Sequence, residues 1–100
     1  MSMSPEARLA LLLLEELELR GGSARLRYLK VYRMIVYWLG YDYAKKIIDR
    51  LVSTNYIVIS NDRAQLLRRF KVDKSQAKIY KEAKELVISI YSTMHRPPSR

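Results

Sequence analysis

The chain has 100 residues, 49% of them hydrophobic, and sets 19 lysines and arginines against 10 acids, for a net charge of +9. That length supports one domain with a thin core, and the charge is the electrostatic footprint of a protein that meets a polyanion. The absence of cysteine excludes disulfides, thiolate metal sites and cysteine nucleophiles, and the single histidine, His95, cannot assemble a metal site alone.

Residues 1–22 carry four acids and two bases, residues 23–72 eleven bases and three acids, and residues 73–100 six bases and three acids. The middle of the chain is therefore where a polyanion is expected to dock. Ser4 as N-cap, Pro5 in the first helical position and Glu6 at the positive end of the dipole predict a helix that Gly21-Gly22 stops after Arg20. Leu9, Leu12, Leu13, Glu16 and Leu17 keep a helical period, widened by Leu11 and Leu14. Glu15, Glu16 and Glu18 close this amphipathic helix and read as its solvated face rather than as paired catalytic carboxylates. The apolar run 9–14 is too short to cross a bilayer, and without a basic leader or small-residue cleavage site it does not read as a signal peptide.

Ser23 caps a second helical stretch over 23–39, with Gly40 as its stop, unless residues 23–30 form a separate turn or short strand. Leu26, Val31, Ile35, Val36 and Leu39 form one side of it, while Arg25, Arg27, Lys30 and Arg33 interleave with Tyr28 and Tyr32. Asp42 caps a third helix over 42–53, which Thr54-Asn55 ends because Asn tolerates the left-handed conformation. The β-branched run 56–60, the turn residues Asn61-Asp62-Arg63 and the alternating segment 65–72 predict a hairpin over 56–72 with Leu66, Phe70 and Val72 inward. A long last helix follows over 74–94, capped by Asp73 or Ser75. Its apolar stripe Ile79, Ala83, Leu86 and Ile90 is doubled by Tyr80, Val87, Tyr91 and Met94, wider than a small domain needs on one helix. Ile79, Tyr80, Leu86, Val87, Ile90, Tyr91 and Met94 are thus expected to meet a second protein surface. The domain covers 1–95, and residues 96–100, with Pro97-Pro98, read as a disordered tail.

The expected fold class is mainly α with a β-hairpin (α+β), in the order α-α-α-β-β-α. Between Asp42 and Val58 the residue pattern resembles the winged helix-turn-helix family: Ala44, Ile48 and Leu51 take the apolar positions of the third helix, Asn55 stands where Gly is usual, and Tyr56-Ile57 opens the hairpin, or wing. Upstream, Val36 stands where the family commonly has a small residue, and the connection at Gly40 is shorter than usual. The resemblance implies that the third helix presents its exposed face to double-stranded DNA. Tyr43, Lys45, Lys46 and Arg50 would make the contacts, beside Asp49 and Ser53, with the wing residues Arg63, Arg68, Arg69 and Lys71. Arg25, Arg27, Lys30 and Arg33 are the further phosphate contacts expected. Short length and a long last helix look most like the small archaeal DNA-binding proteins, which pair through a C-terminal helix and act in chromatin or transcription regulation. Scarce Gln and Asn agree with a heat-adapted, thermophilic source.

No Gly-rich phosphate loop, histidine–carboxylate pair or metal spacing occurs, so no enzyme, cofactor or metal is expected. A homodimeric, cytoplasmic (nucleoid-associated) DNA-binding protein with no membrane contact is the leading expectation. The alternative is a small accessory subunit docking on a larger nucleic-acid enzyme such as a polymerase, and RNA is not distinguished from DNA by charge alone. Lys45-Lys46 and Arg68-Arg69 also fit plain solvated faces, and the eight tyrosines fit half-buried packing roles, with Tyr43 the exception most expected to reach nucleic acid.

Overall fold

The computed structural model describes residues 3–95. Ser4 caps the first helix, α1 (Pro5–Leu19), by accepting from the Ala7 N–H at 3.1 Å. At its far end the Gly22 N–H returns to the Leu17 carbonyl at 2.9 Å. Gly22 has φ +90, and a Cβ there would meet the Arg69 side chain at 3.2 Å, so glycine serves both the turn and a close approach.

Residues 23–30 do not continue a helix, and the long second helix expected over 23–39 is corrected here. Ser23–Arg25 is a short strand, β1, and Leu26–Tyr28 is a single 3-10 turn. The second helix, α2, is Lys30–Leu39, and the third, α3, is Tyr41–Ser53. Only Gly40 separates them, at φ 94 and ψ 161, a region essentially confined to glycine. Because Gly40 takes the N-cap position, Asp42 sits inside the first turn of α3, where its charge still complements the dipole.

Strands β2 (Ile57–Ser60) and β3 (Arg63–Leu66) form the hairpin, and the sheet order is β1-β3-β2, all antiparallel. Ser60 pairs with Arg63 across a two-residue turn in which Asn61 and Asp62 both have positive φ, as a type I′ turn requires. The returning strand stops at Leu66 instead of reaching Val72. Its neighbours end there: β1 begins at Ser23 and β2 at Ile57, so the chain beyond Leu67 has no ladder to join. Residues 67–75 cross the end of α1 to the last helix, α4 (Gln76–Met94), which Ser75 caps through the Lys78 N–H at 3.2 Å. The expectation for residues 96–100 lies outside the described residues.

The result is a mixed α+β chain of four α-helices and a three-stranded antiparallel sheet, with the elements otherwise in the expected order and a long C-terminal helix. α1 is its axle, touching α2, α3, α4, β1 and β3. Leu9, Leu12, Leu13 and Leu17 are fully buried beside Ile35, Ile47, Ile79, Ala83 and Val87, and the inner sheet face adds Ala24, Ala64, Ile57 and Leu66. Small Ala24 and Ala64, paired across β1 and β3, let the sheet lie close on the helices.

Glu15, Glu16 and Glu18 are buried, which corrects the solvated face expected for them. The last turns of α1 are wrapped by α2, α4 and residues 67–75, where Glu16 and Glu18 accept hydrogen bonds and Glu15 lies 3.1 Å from the Lys74 ammonium. Glu16, fully buried, accepts from the Lys30 and Val31 backbone N–H groups at 2.7 and 2.9 Å, the Tyr80 hydroxyl at 2.9 Å and Arg20 Nε at 3.3 Å. It does for α2 what an N-cap side chain does, from another helix, since Leu29 supplies no capping oxygen. Burial, then the bond to Glu16, push the Tyr80 phenol above its ordinary pKa.

Candidate nucleic-acid interface

The sheet turns one face outward, and the register decides what lies on it. Arg25 of β1 stands directly opposite Arg63 of β3, and Arg63 opposite Ser60 of β2. In the next outward row Ser23, Gln65 and Val58 align. These strands line an open groove of about 410 Å³ bounded by Arg25, Val58, Ser60, Asn61, Arg63 and Gln65. Both arginines are exposed, and neither forms an ion pair with a described residue. Arg63 is steadied by a 3.2 Å bond from its guanidinium to the Ser23 hydroxyl. Like charges directly opposite on one sheet face cost stability, so an unbalanced arginine pair is a feature that an anion would relieve.

The hairpin tip is fastened beside this pair, the Leu26 N–H donating to the Asp62 carbonyl at 3.0 Å. On α2, the Tyr32 phenol is pushed up first by burial and then by the neighbouring Tyr41 and Asp62. The tip and the start of α3 thus both lie within charge reach of α2. Arg27, its guanidinium 5.2 Å from the centre of the exposed Tyr28 ring, and Arg33 add exposed cations nearby in sequence.

On α3, Ala44, Ile48 and Leu51 are buried as the pattern requires, together with Ile47. Lys45, Lys46, Asp49, Arg50 and Ser53 are exposed. Asp49 pairs with Lys45 at 2.8 Å, and that bond raises the Lys45 pKa, which leaves Lys46 and Arg50 as the cations of the helix without an ion pair among the described residues. Tyr43 lies at the edge of this face, on the side where Arg50 borders α1. It is half-buried against Ser4, Pro5, Glu6 and the end of α4, where burial and then Glu6 push its phenol up. The most exposed tyrosines are Tyr28, Tyr37, Tyr41 and Tyr56, with Tyr91 less so.

The basic residues after the hairpin lie elsewhere. Arg69 donates to Glu18, to Oε1 at 2.7 Å and also to Oε2, and holds that carboxyl below its ordinary range. Arg68 borders an apolar recess of Leu11, Leu14, Tyr56, Leu66 and Phe70, and Lys71 is exposed. Of the expected wing contacts, then, only Arg63 stands at the hairpin tip. Lys30 faces the other way, its Nζ 4.8 Å from the centre of the Tyr80 ring.

The seven residues expected at a partner surface do not share one face. Ile79 and Val87 are fully buried in the chain's own core, because α1 and α2 already cover that side of α4. Tyr80 and Tyr91 flank α2, Tyr91 packing edge-on against Trp38 at 5.5 Å. Ile90 and Met94 flank the start of α1, and Leu86 is half-buried.

The elements and this surface define a small basic α+β protein in which Glu15, Glu16, Glu18 and Glu82 meet cations around α1 and α4. Glu82 pairs with Arg8 at 2.8 Å and Lys74 at 3.0 Å, Lys74 lies 3.1 Å from Glu15, and the Lys74 bond chiefly holds Glu82 below its ordinary pKa. Comparison of the chain with protein-family models, curated proteins and solved structures returned no match. No helix of the described residues is long and apolar enough to cross a membrane.

Proposed function

We propose that the chain is a winged-helix protein that binds double-stranded DNA, with α3 in the major groove and the outer sheet face and hairpin tip on the adjoining backbone, acting in chromatin or transcription regulation. The observation that carries it is the exposed, directly opposed Arg25–Arg63 pair, which forms no ion pair with an acid among the described residues. Phosphate oxygens are the anions such paired, fork-shaped donors fit best. The exposed face of α3 supports the same reading through Lys46 and Arg50, as does the pairing of β1 with β3 in front of the helices, the arrangement a winged helix has. Most of the affinity would come from phosphate neutralisation and fall steeply with salt.

Binding of a fixed random-sequence duplex across a salt series tests this. Wild type should bind in a strongly salt-dependent way. Arg25→Gln/Arg63→Gln and Lys46→Ala/Arg50→Ala should each weaken binding and flatten the salt slope by roughly one to two. Lys45→Ala and Arg69→Ala should matter less, since each side chain is held by an acid. Absence of duplex binding at about 50 mM salt, where phosphate contacts are strong, would sink the proposal.

A further inference from the structure

On a different side from the arginine pair, α2 and α4 enclose an open groove of about 390 Å³ lined by Lys30, Met34, Trp38, Tyr80, Lys81 and Lys84. Its floor is apolar and half-buried: Met34, Trp38 and the Tyr80 ring. Three exposed lysines form its rim, and none makes an ion pair with a described residue. The apolar surface continues past the groove, since Trp38 packs edge-to-face with Tyr37 at 5.8 Å and with Tyr91 at 5.5 Å, and Tyr37 is 82% exposed. A contiguous aromatic patch ringed by uncompensated positive charge is a docking surface in search of an apolar, acidic occupant.

We propose that the α2–α4 groove docks an acidic protein segment anchored by apolar side chains. Two observations favour a peptide over a nucleic acid here. The rings are already committed: Trp38 to two tyrosines, Tyr91 to a stacked His95 at 4.1 Å, and Tyr80 to the Lys30 ammonium and Glu16. Within the groove lining the Tyr80 ring is taken by Lys30, and the open ring of Tyr37 lies outside that lining, so the groove itself offers a base little to stack on. The charges differ as well. The cations of α4 are all lysines, Lys78, Lys81 and Lys84, whereas the sheet and its flank carry arginines. Lysine is a point charge suited to carboxylates on a mobile partner, whereas arginine's planar fork grips phosphate. The arrangement suits an amphipathic helix that lays its apolar positions into the groove while its acids meet the rim. In this way the protein would hold a polyanion on one face and recruit an acidic partner on another.

Trp38 is the only tryptophan and lies in the floor, so its fluorescence reports occupancy directly. The probe is a synthetic helical peptide with Leu and Phe at helical spacing and Glu elsewhere. The full chain should give a saturable change in Trp38 emission, and Lys81→Gln/Lys84→Gln should weaken binding roughly tenfold. Met34→Ser should weaken it too, with circular dichroism and melting showing both variants folded. The lysine variant should keep its duplex affinity and salt slope, which separates failure of this proposal from failure of DNA binding. No saturable change, an equal response to a peptide with Leu and Phe replaced by Ser, or displacement of the peptide by a single-stranded oligonucleotide would each overturn the assignment.

Discussion

At the scale of single residues, Glu16 has the largest structural consequence. Its carboxylate has no exposure and gathers two backbone N–H groups, a phenol and a guanidinium from three stretches of chain. Nothing local announces this. Glu16 sits at an apolar period position among leucines, and that position is the one signal in the sequence that it points inward. Removing it would leave the start of α2 uncapped and Arg20 without its counter-charge. Glu16→Ala should therefore cost about 3 kcal/mol in chemical denaturation, and Glu16→Gln less, because one carbonyl oxygen survives. A loss near 0.5 kcal/mol, usual for an exposed helix position, would contradict the capping role. Tyr43 teaches the complementary lesson. Being next to a lysine pair put it only at the edge of the basic face, since it lies on the flank that packs against α1 and α4.

The elements were legible to the extent that their signals are local. Ser4, Ser75, the glycine stops and the Asn61-Asp62 turn act over a few residues and form what their chemistry dictates. Gly40 shows how tight the α2–α3 connection is, one residue serving as C-cap of one helix and N-cap of the next. A Cβ at Gly40 would meet nothing within 4 Å, so any penalty there is conformational and not steric. Gly40→Ala should lower stability by about 1–3 kcal/mol, read as a fall in melting temperature, with a matching loss of duplex affinity only if α3 turns relative to α2. Residues 23–30 left a helix and a short strand both open in the sequence and β1 took the strand, whereas β3 was read too long because its alternation outlasts its neighbours.

For the whole molecule, function and stability are expected to oppose each other at the sheet. Arg25 and Arg63 are far apart in sequence and become opposed only because β1 joins β3. Their repulsion costs on the order of 0.2–1 kcal/mol, and salt screens it. Arg25→Thr should raise the melting temperature at low salt, lose that advantage as salt rises, and bind duplex DNA more weakly than wild type. A variant that is both less stable and equally tight in binding would remove the arginine pair from the proposed interface.

The sequence by itself determined the α+β class, the hairpin turn, the serine cap of α1, the glycine stops, and the concentration of positive charge in residues 23–72, because periodicity, turn chemistry and composition are properties of neighbouring residues. Only the tertiary structure decided which of those charges stand free. Ion pairs such as Glu18 with Arg69 and Arg8 with Glu82 join residues more than fifty positions apart. Burial likewise follows from which elements wrap which: α1 passes through the middle, so its acids turn inward and become caps and counter-ions. The same packing takes Ile79 and Val87 into the core, leaves Trp38 and Tyr80 in the floor of a groove, and leaves Arg25 facing Arg63.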